Sequence, residues 1–252
     1  MMDDSTRQPE TTKPPKPTNT NQITTEFDWL VYADATFAGL STLLPIPVVE
    51  SVLEEFFRRR MPSRIARRRG RTLSRAVIRE LNRKRSGGFL RGCLLWPIEQ
   101  IIRFLRNLYR TVVYVLSVVE ATDKLSHYWH RAFLLDYMVM HGHLDNLERA
   151  KIAAEAMREV LATTETSPTT NLAREVIEFA GHHMRGLVRS IIRFIRRKEE
   201  TKEFKRQRQS VAARWAELSD YFIELATKYE QTFERLKSIE ASAQSPPAGT
   251  AG

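Results

Sequence analysis

The sequence predicts an all-α protein, a multi-helix bundle with disordered termini and a C-terminal coiled-coil-like helix. Three observations carry that prediction. Neither Gly nor Pro interrupts 98–141 or 187–245, the condition that long helices need. Apolar residues recur at helical spacing through most of the chain. A composition 42% apolar and 28% charged belongs to folded chains, and 252 residues can bury one substantial core or two small ones.

Taken in order, residues 1–22 are rich in Thr, Pro, Asn and Asp around Lys13-Pro14-Pro15-Lys16-Pro17 and read as a disordered tail. A first helix is expected from Thr24 or Thr25, whose hydroxyls can cap it, to about Ser41. Pro45 and Pro47 force an extended break, and Pro47 suits the first turn of the next helix. That helix carries Val49, Val52, Leu53, Phe56 and Phe57 on one side, with glutamates early and arginines late, as the helix dipole favours. Pro62 and Gly70 punctuate the basic stretch after it. Thr72 can cap a helix bearing Leu73, Val77 and Leu81, which Ser86-Gly87-Gly88 ends.

The spacing predicts helix from Pro97 to about Met140, re-started at Thr122 or Asp123, with Gly142 as its stop. Asp145 and Glu148 stand at capping-box spacing ahead of a helix with Leu147, Ala154, Met157 and Leu161. Residues 163–171 read as a linker, with Asn171 available to cap the next helix. That helix combines Leu187, Val188, Ile191, Ile192 and Ile195 with Arg185, Arg189, Arg193 and Arg197. It contains the short run 191–196, which echoes 101–106; six residues are too few to establish a repeat. The domain reading is a tail over 1–22, a basic helical membrane-associated domain over 23–162, the linker, a helical and coiled-coil region over 172–241, and a tail over 242–252.

The last helix has the cleanest period. Phe204, Val211, Leu218, Leu225, Thr232 and Ile239 recur every seven residues, and Trp215, Phe222, Tyr229 and Leu236 interleave. This seam predicts either folding back on the same chain or an interface with a second copy or a helical partner. The expected interface residues are Val211, Trp215, Leu218, Phe222, Leu225, Tyr229 and Leu236.

The net charge of +10 is local. Residues 58–85 hold Arg58, Arg59, Arg60, Arg64, Arg67, Arg68, Arg69, Arg71, Arg75, Arg79, Arg83, Lys84 and Arg85 against the single acid Glu80. That is +12 in 28 residues, so the other 224 sum to −2. Such a concentration is a footprint for a phosphate-bearing partner. An anionic membrane surface is the favoured partner, because apolar amphipathic helices lie beside the block. Arg103, Arg106, Arg189, Arg193 and Arg197 can extend the surface. Nucleic acid is the alternative, although no Phe, Tyr or Trp lies within 58–85 to stack a base. A third reading leaves the block as a solvated face paired with acids of other helices, in a soluble scaffold without ligand.

One cysteine, Cys93, excludes an intramolecular disulfide and fits a reducing compartment. In its apolar stretch it reads as a buried structural thiol. The nearly uncharged run 29–49 has spanning length, but Asp34, Thr36, Ser41 and Thr42 dilute it. It reads as a buried or interfacial hairpin, with residues 23–61 expected to pack on or dip into the bilayer, and the chain as cytoplasmic, peripheral to the inner face of the membrane. His127 with His130, the group His141, His143 and Asp145, and the group Glu175, Glu178, His182 and His183 are the metal candidates. None has the Glu-x-x-His spacing of bundle carboxylate sites, and helix-end histidines read more simply as caps. No phosphate-binding glycine loop or nucleophile elbow occurs. The expectation is therefore no enzyme, no metal and no cofactor.

Residues 38–74 carry Ala38-Gly39-Leu40-Ser41, then Pro45-Ile46-Pro47, Arg60-Met61, Ile65-Ala66, Gly70 and Leu73-Ser74. This text resembles the core of a bacterial family of membrane-associated helical domains of unknown function, also found next to small GTPase domains. Glu50 stands where the family usually has aspartate, and Arg69 where an aromatic precedes the glycine. The resemblance covers about a seventh of the chain. It implies membrane association and carries no catalytic residues.

Overall fold

A computed structural model describes residues 23–44, 47–83, 118–164, 168–195 and 202–244. Among them the regular structure is entirely helical: α1 (Trp29–Leu40), α2 (Pro47–Arg68), α3 (Arg75–Leu81), α4 (Val118–Met140), α5 (Leu147–Thr163), α6 (Thr169–His182), α7 (Met184–Ile195), α8 (Lys202–Trp215) and α9 (Ser219–Gln244). Short 3-10 turns follow α1 and join α8 to α9. The Cys93 stretch, the expected helix up to residue 117, Lys84, Arg85, Arg103, Arg106, Arg197 and both predicted tails up to 22 and from 245 lie outside the described residues.

The apolar run expected to pack on or dip into a bilayer is, over 29–44, a core helix and its closing turn. Every residue of α1 from Val31 to Leu40 is buried, and the helix packs against α2 and α4. Its polar groups are answered internally. Trp129 Nε1 donates to Thr36 Oγ1 at 3.0 Å, Thr36 Oγ1 donates to the Tyr32 carbonyl at 3.0 Å, and Ser41 Oγ donates to the Ala38 carbonyl at 2.7 Å. Buried hydroxyls bonded in this way do not oppose burial of the helix. No helix among the described residues is long and apolar enough to cross a membrane.

Several predicted boundaries move. The cap of α1 is Asp28, whose side chain accepts from Leu30 N, so Thr24 and Thr25 lie ahead of the helix. Ser74, not Thr72, caps α3 through Val77 N. Asn146 caps α5 through Arg149 N, which leaves Asp145 for an arginine. The α4 helix runs through Thr122 without a re-start there, and α6 begins at Thr169, ahead of Asn171. The α2 helix runs through Pro62; its flanking residues Phe57, Met61, Ile65 and Ala66 are fully buried, and that burial outweighs the lost backbone bond.

Two helices end on a left-handed glycine. Gly70 (φ +70°) follows α2 and Gly142 (φ +69°) follows α4. In each the residue after the glycine donates back to a carbonyl five positions earlier, Arg71 N to Ala66 O at 2.8 Å and His143 N to Met138 O at 3.0 Å. This termination needs the positive φ that glycine adopts without strain.

The seam of the last segment folds back on its own chain. Val211, Trp215, Phe222, Leu225 and Tyr229 are buried, and Leu218 and Leu236 pack half-buried against the same core. This corrects the predicted oligomer or partner interface: the helices that would form it already pack within the chain, α9 on α5 and α4, and α8 on α6 and α7. The helix is also broken, by the 3-10 turn at Ala216–Leu218. Trp215 sits at that bend, 4.5 Å from the Tyr32 and Phe222 rings and 5.6 Å from that of Trp129. One core therefore includes residues from both sides of 163–171, so that stretch does not separate two domains.

Candidate functional site

The basic segment folds as the C-terminal half of α2, a turn, and α3. In a helix each residue advances about 100°, so positions four apart share a row. Arg60 and Arg64 form a row that faces inward. Arg60 holds Asp34 through Nε and Nη2 at 3.0 and 2.6 Å, and Arg64 reaches the same carboxylate at 3.5 Å. The Phe194 ring of α7 lies 5.0 Å from the Arg60 guanidinium and 4.6 Å from that of Arg64, a cation–π arrangement that docks α7. Burial raises the Asp34 pKa, and the adjacent Arg60 opposes that rise.

The end of α2 is an arginine clasp. Arg68 Nε donates to Asp28, the α1 cap, at 2.6 Å. Arg69 grips Asp136 of α4 with Nε and Nη2 at 2.7 and 2.6 Å, and Arg71 meets Asp145 at 2.7 Å. Three nearly consecutive arginines thus fasten three separate parts of the chain, with the Gly70 turn between the second and the third.

Arg58 is buried. It pairs with Glu55 in a two-pronged contact at 2.8 and 2.7 Å, and both its Nη groups reach the carbonyl of Asn82 at 3.3 Å. Arg131 of α4 donates to the neighbouring Leu81 carbonyl at 2.8 Å. Two guanidinium groups therefore cap the negative end of α3, a favourable use of its last carbonyls. Burial, together with the nearby Arg58, lowers the Arg131 pKa to about 10. Sequence reasoning missed Arg131 because nothing local links it to residues 50 positions away.

The expectation of one continuous docking face over 58–85 is corrected by these partners. Arg58, Arg59, Arg60, Arg64, Arg68, Arg69, Arg71 and Arg83 all make intrachain ion pairs. Five acids from outside the segment, Asp28, Asp34, Glu55, Asp136 and Asp145, supply most of them. The guanidinium groups point in different directions because a helix distributes consecutive residues around its axis. What remains cationic is the outward side. Arg67, Arg75 and Arg79 are exposed and make no ion pair among the described residues. Arg59 and Arg83 are also exposed, held only by local glutamates of their own segments. The turn after α2 folds α3 back so that Asn82 Nδ2 donates to the Arg59 carbonyl at 3.4 Å. The row Arg59, Ser63, Arg67 on α2 and the row Arg75, Arg79 with Arg83 just beyond α3 thus belong to one antiparallel hairpin.

Beside the clasp lies an open cleft of about 620 Å³, formed by the chain entering α1, the end of α2, and Arg208, Gln209 and Ala212 of α8. Its walls include Glu26, Asp28, Phe27, Trp29, Arg68 and Arg69. No short motif signals it, because its residues are drawn from three segments spread over most of the chain.

The histidines do not converge on a metal: no group of three or more ligating side chains that could hold an ion occurs among the described residues. His182 and His183 place Nδ1 at 2.7 and 2.9 Å from the carbonyls of Glu178 and Phe179, at the end of α6. Glu175 instead pairs with Arg214. His143 is buried, stacked on Phe233 at 4.2 Å and hydrogen-bonded to the Tyr229 hydroxyl at 2.9 Å. His130 is buried, within 2.8 Å of the Tyr221 hydroxyl and 3.4 Å of Thr169 Oγ1. Both are therefore packing elements between α4 and α9. Burial, reinforced by Arg149, His141 and Lys237, lowers the His143 pKa to about 3; burial and His127 lower that of His130 to about 4.

No family model, no curated protein and no solved structure matches this chain.

Proposed function

We propose that the chain is a peripheral helical protein that docks on anionic lipid headgroups at the inner face of a membrane, through the outward rows of the α2–α3 hairpin. The observation that carries this reading is the set Arg67, Arg75 and Arg79, exposed and without an internal carboxylate among the described residues. Arg59 and Arg83 extend it. A basic residue near an anionic membrane contributes about 1 kcal/mol. Five of them give roughly 5 kcal/mol, which is reversible adsorption rather than permanent anchoring. Among the described residues α1 is buried in the core, so the reading rests on charge rather than on insertion of that helix. These rows carry no aromatic side chain, which disfavours a single-stranded nucleic acid that needs stacking surfaces. The reading assigns no catalytic role to any residue.

Co-sedimentation of the full chain with vesicles at low salt tests it. Recovery with phosphatidylglycerol-containing vesicles, lost with neutral vesicles and at high salt, is the expected result. Equal recovery with both vesicle types, or displacement from anionic vesicles by stoichiometric duplex DNA, rejects it.

A further inference from the structure

The cleft beside the arginine clasp has a charge pattern unlike that of the outward rows. Both signs of charge line it: Arg68, Arg69 and Arg208 with Glu26 and Asp28, of which Asp28 is already paired with Arg68. Its volume of about 620 Å³ lies in the range of small-molecule sites. Phe27 lines it and is stacked on Tyr32 at 5.3 Å and packed on Trp215 at 5.2 Å, so this apolar wall is rigidly backed by the core.

The clasp leaves hydrogen-bond donors unused. A guanidinium carries five N–H groups. Arg68 engages Asp28 through Nε alone, and its side chain is 49% exposed. Arg69 engages Asp136 through Nε and Nη2, leaving Nη1 without a partner among the described residues. The two acids therefore hold the guanidinium groups by one edge and fix their direction. Fixed donors bind a ligand without first losing side-chain freedom. Glu26 is exposed and makes no ion pair among the described residues.

We propose that this cleft binds a small dipolar ligand, a phosphate-type oxyanion joined by a short linker to a primary ammonium. The oxyanion meets the outer N–H groups of Arg68 and Arg69, and the ammonium meets Glu26. A bare anion is the poorer fit, because Asp28 and Asp136 already offset the charges of Arg68 and Arg69. A ligand that brings both signs adds less net negative charge than inorganic phosphate and uses the unpaired carboxylate. Charge-assisted hydrogen bonds to the arginine tips supply the affinity, and Phe27 and Trp29 form the apolar wall for the linker. This site is distinct from the α2–α3 rows and does not depend on the docking proposed for them.

Isothermal titration of the full chain with O-phosphoethanolamine, and separately with inorganic phosphate, tests the inference. O-phosphoethanolamine is expected to bind at least roughly tenfold more tightly than phosphate. Glu26→Gln, at an exposed position, should remove that preference and leave phosphate unchanged. Arg68→Gln should weaken both ligands roughly tenfold, with helical circular dichroism showing that the fold is retained. Equal affinity for the two ligands, an unchanged preference in Glu26→Gln, or no heat with either ligand overturns the assignment. The source is then read by competition. Displacement of the soluble compound by phosphatidylethanolamine vesicles marks a lipid headgroup, and binding without displacement marks a free phosphoamine. Replacing Arg67, Arg75 and Arg79 together should leave all these titrations unchanged while reducing recovery on anionic vesicles, so failure of one reading is distinguishable from failure of the other.

Discussion

Gly39 of α1 lies so near Leu125 of α4 that a Cβ built on the glycine would stand 2.5 Å from the Leu125 Cα and 2.8 Å from its Cβ. The obstacle is backbone, which cannot rotate away as a side-chain tip can. Two effects of alanine at this position compete. Alanine is favoured over glycine in a helix interior by about 1 kcal/mol. Against that, separating two packed helices costs about 1–3 kcal/mol and occasionally more. Gly39→Ala is therefore expected to lower stability by a net of roughly 1 kcal/mol, read as a lower urea midpoint at unchanged slope. A midpoint equal to or above that of the parent chain would show that α1 and α4 are not locked at this crossing.

The clasp arginines should divide by burial. Asp136 is buried and is held by the Nε and Nη2 groups of Arg69, whereas the Arg71 and Asp145 side chains are 42% and 62% exposed. Removing one partner of a buried pair costs about 3–5 kcal/mol, and removing an exposed pair about 0–1 kcal/mol. Asp136→Asn should thus destabilise the fold severely and Asp145→Asn barely, both read by urea unfolding. The double change Arg69→Met with Asp136→Leu should recover much of the loss, since no unpaired charge is left behind. A mild effect of Asp136→Asn would place the Arg69 pair in solvent rather than in the core.

Acid should loosen the packing of α9. The folded pKa values of His143 and His130, about 3 and about 4, lie below the ordinary 6.5. Between those values and 6.5 the unfolded chain takes up protons that the folded chain refuses. The stability these groups contribute is therefore present above pH 6.5 and is lost as the pH falls toward their folded values. At pH 4.5 each histidine has withdrawn about 2.5 kcal/mol. Urea melts at pH 7 and pH 4.5 measure the sum. His143→Gln keeps a polar partner for Tyr229 and does not titrate, so it should reduce the difference by about half. An unchanged difference would mean that His143 titrates normally in the folded chain.

The outward rows can be separated from the paired arginines on vesicles. Arg67→Gln, Arg75→Gln and Arg79→Gln together remove about 3 kcal/mol of attraction, near a hundredfold in partition to anionic vesicles. They leave urea stability within about 0.5 kcal/mol, since they touch no described internal partner. A triple variant that partitions like the parent would locate any membrane attachment elsewhere.

Helicity and the stop at Gly142 were legible because each is a local property: periodicity, and a glycine where a positive φ is needed; whether the apolar run from 29 faces a core or a bilayer was not, since both take the same side chains. The fate of the arginines was not. Pairing of Arg69 with Asp136 or Arg71 with Asp145 joins residues 67 and 74 positions apart, and a single aspartate in an apolar helix gives no sign of its partner. The alternative of arginines answered by acids from elsewhere in the fold accounts for five of them, Arg60, Arg64, Arg68, Arg69 and Arg71. The seam of the last segment showed its period but not its occupant, because a heptad of apolar residues is the same pattern whether the facing helix belongs to this chain or another. Caps moved by one to four residues, since Asp28, Ser74 and Asn146 compete with neighbouring Ser, Thr, Asn and Asp residues for the same role.

The carboxylates that hold the arginine clasp reach it only when residues 28, 34, 136 and 145 are brought to it by folding. An excised peptide spanning 58–85 would present its whole +12 charge to any polyanion and would bind heparin or DNA more tightly than the intact chain, whose outward rows keep only part of that charge. By mass action the same compounds capture the unfolded chain in preference to the folded one. Heparin should therefore depress the melting temperature of this protein in proportion to the logarithm of its concentration, so a polyanion that looks like a ligand in a peptide assay acts on the whole molecule as a denaturant.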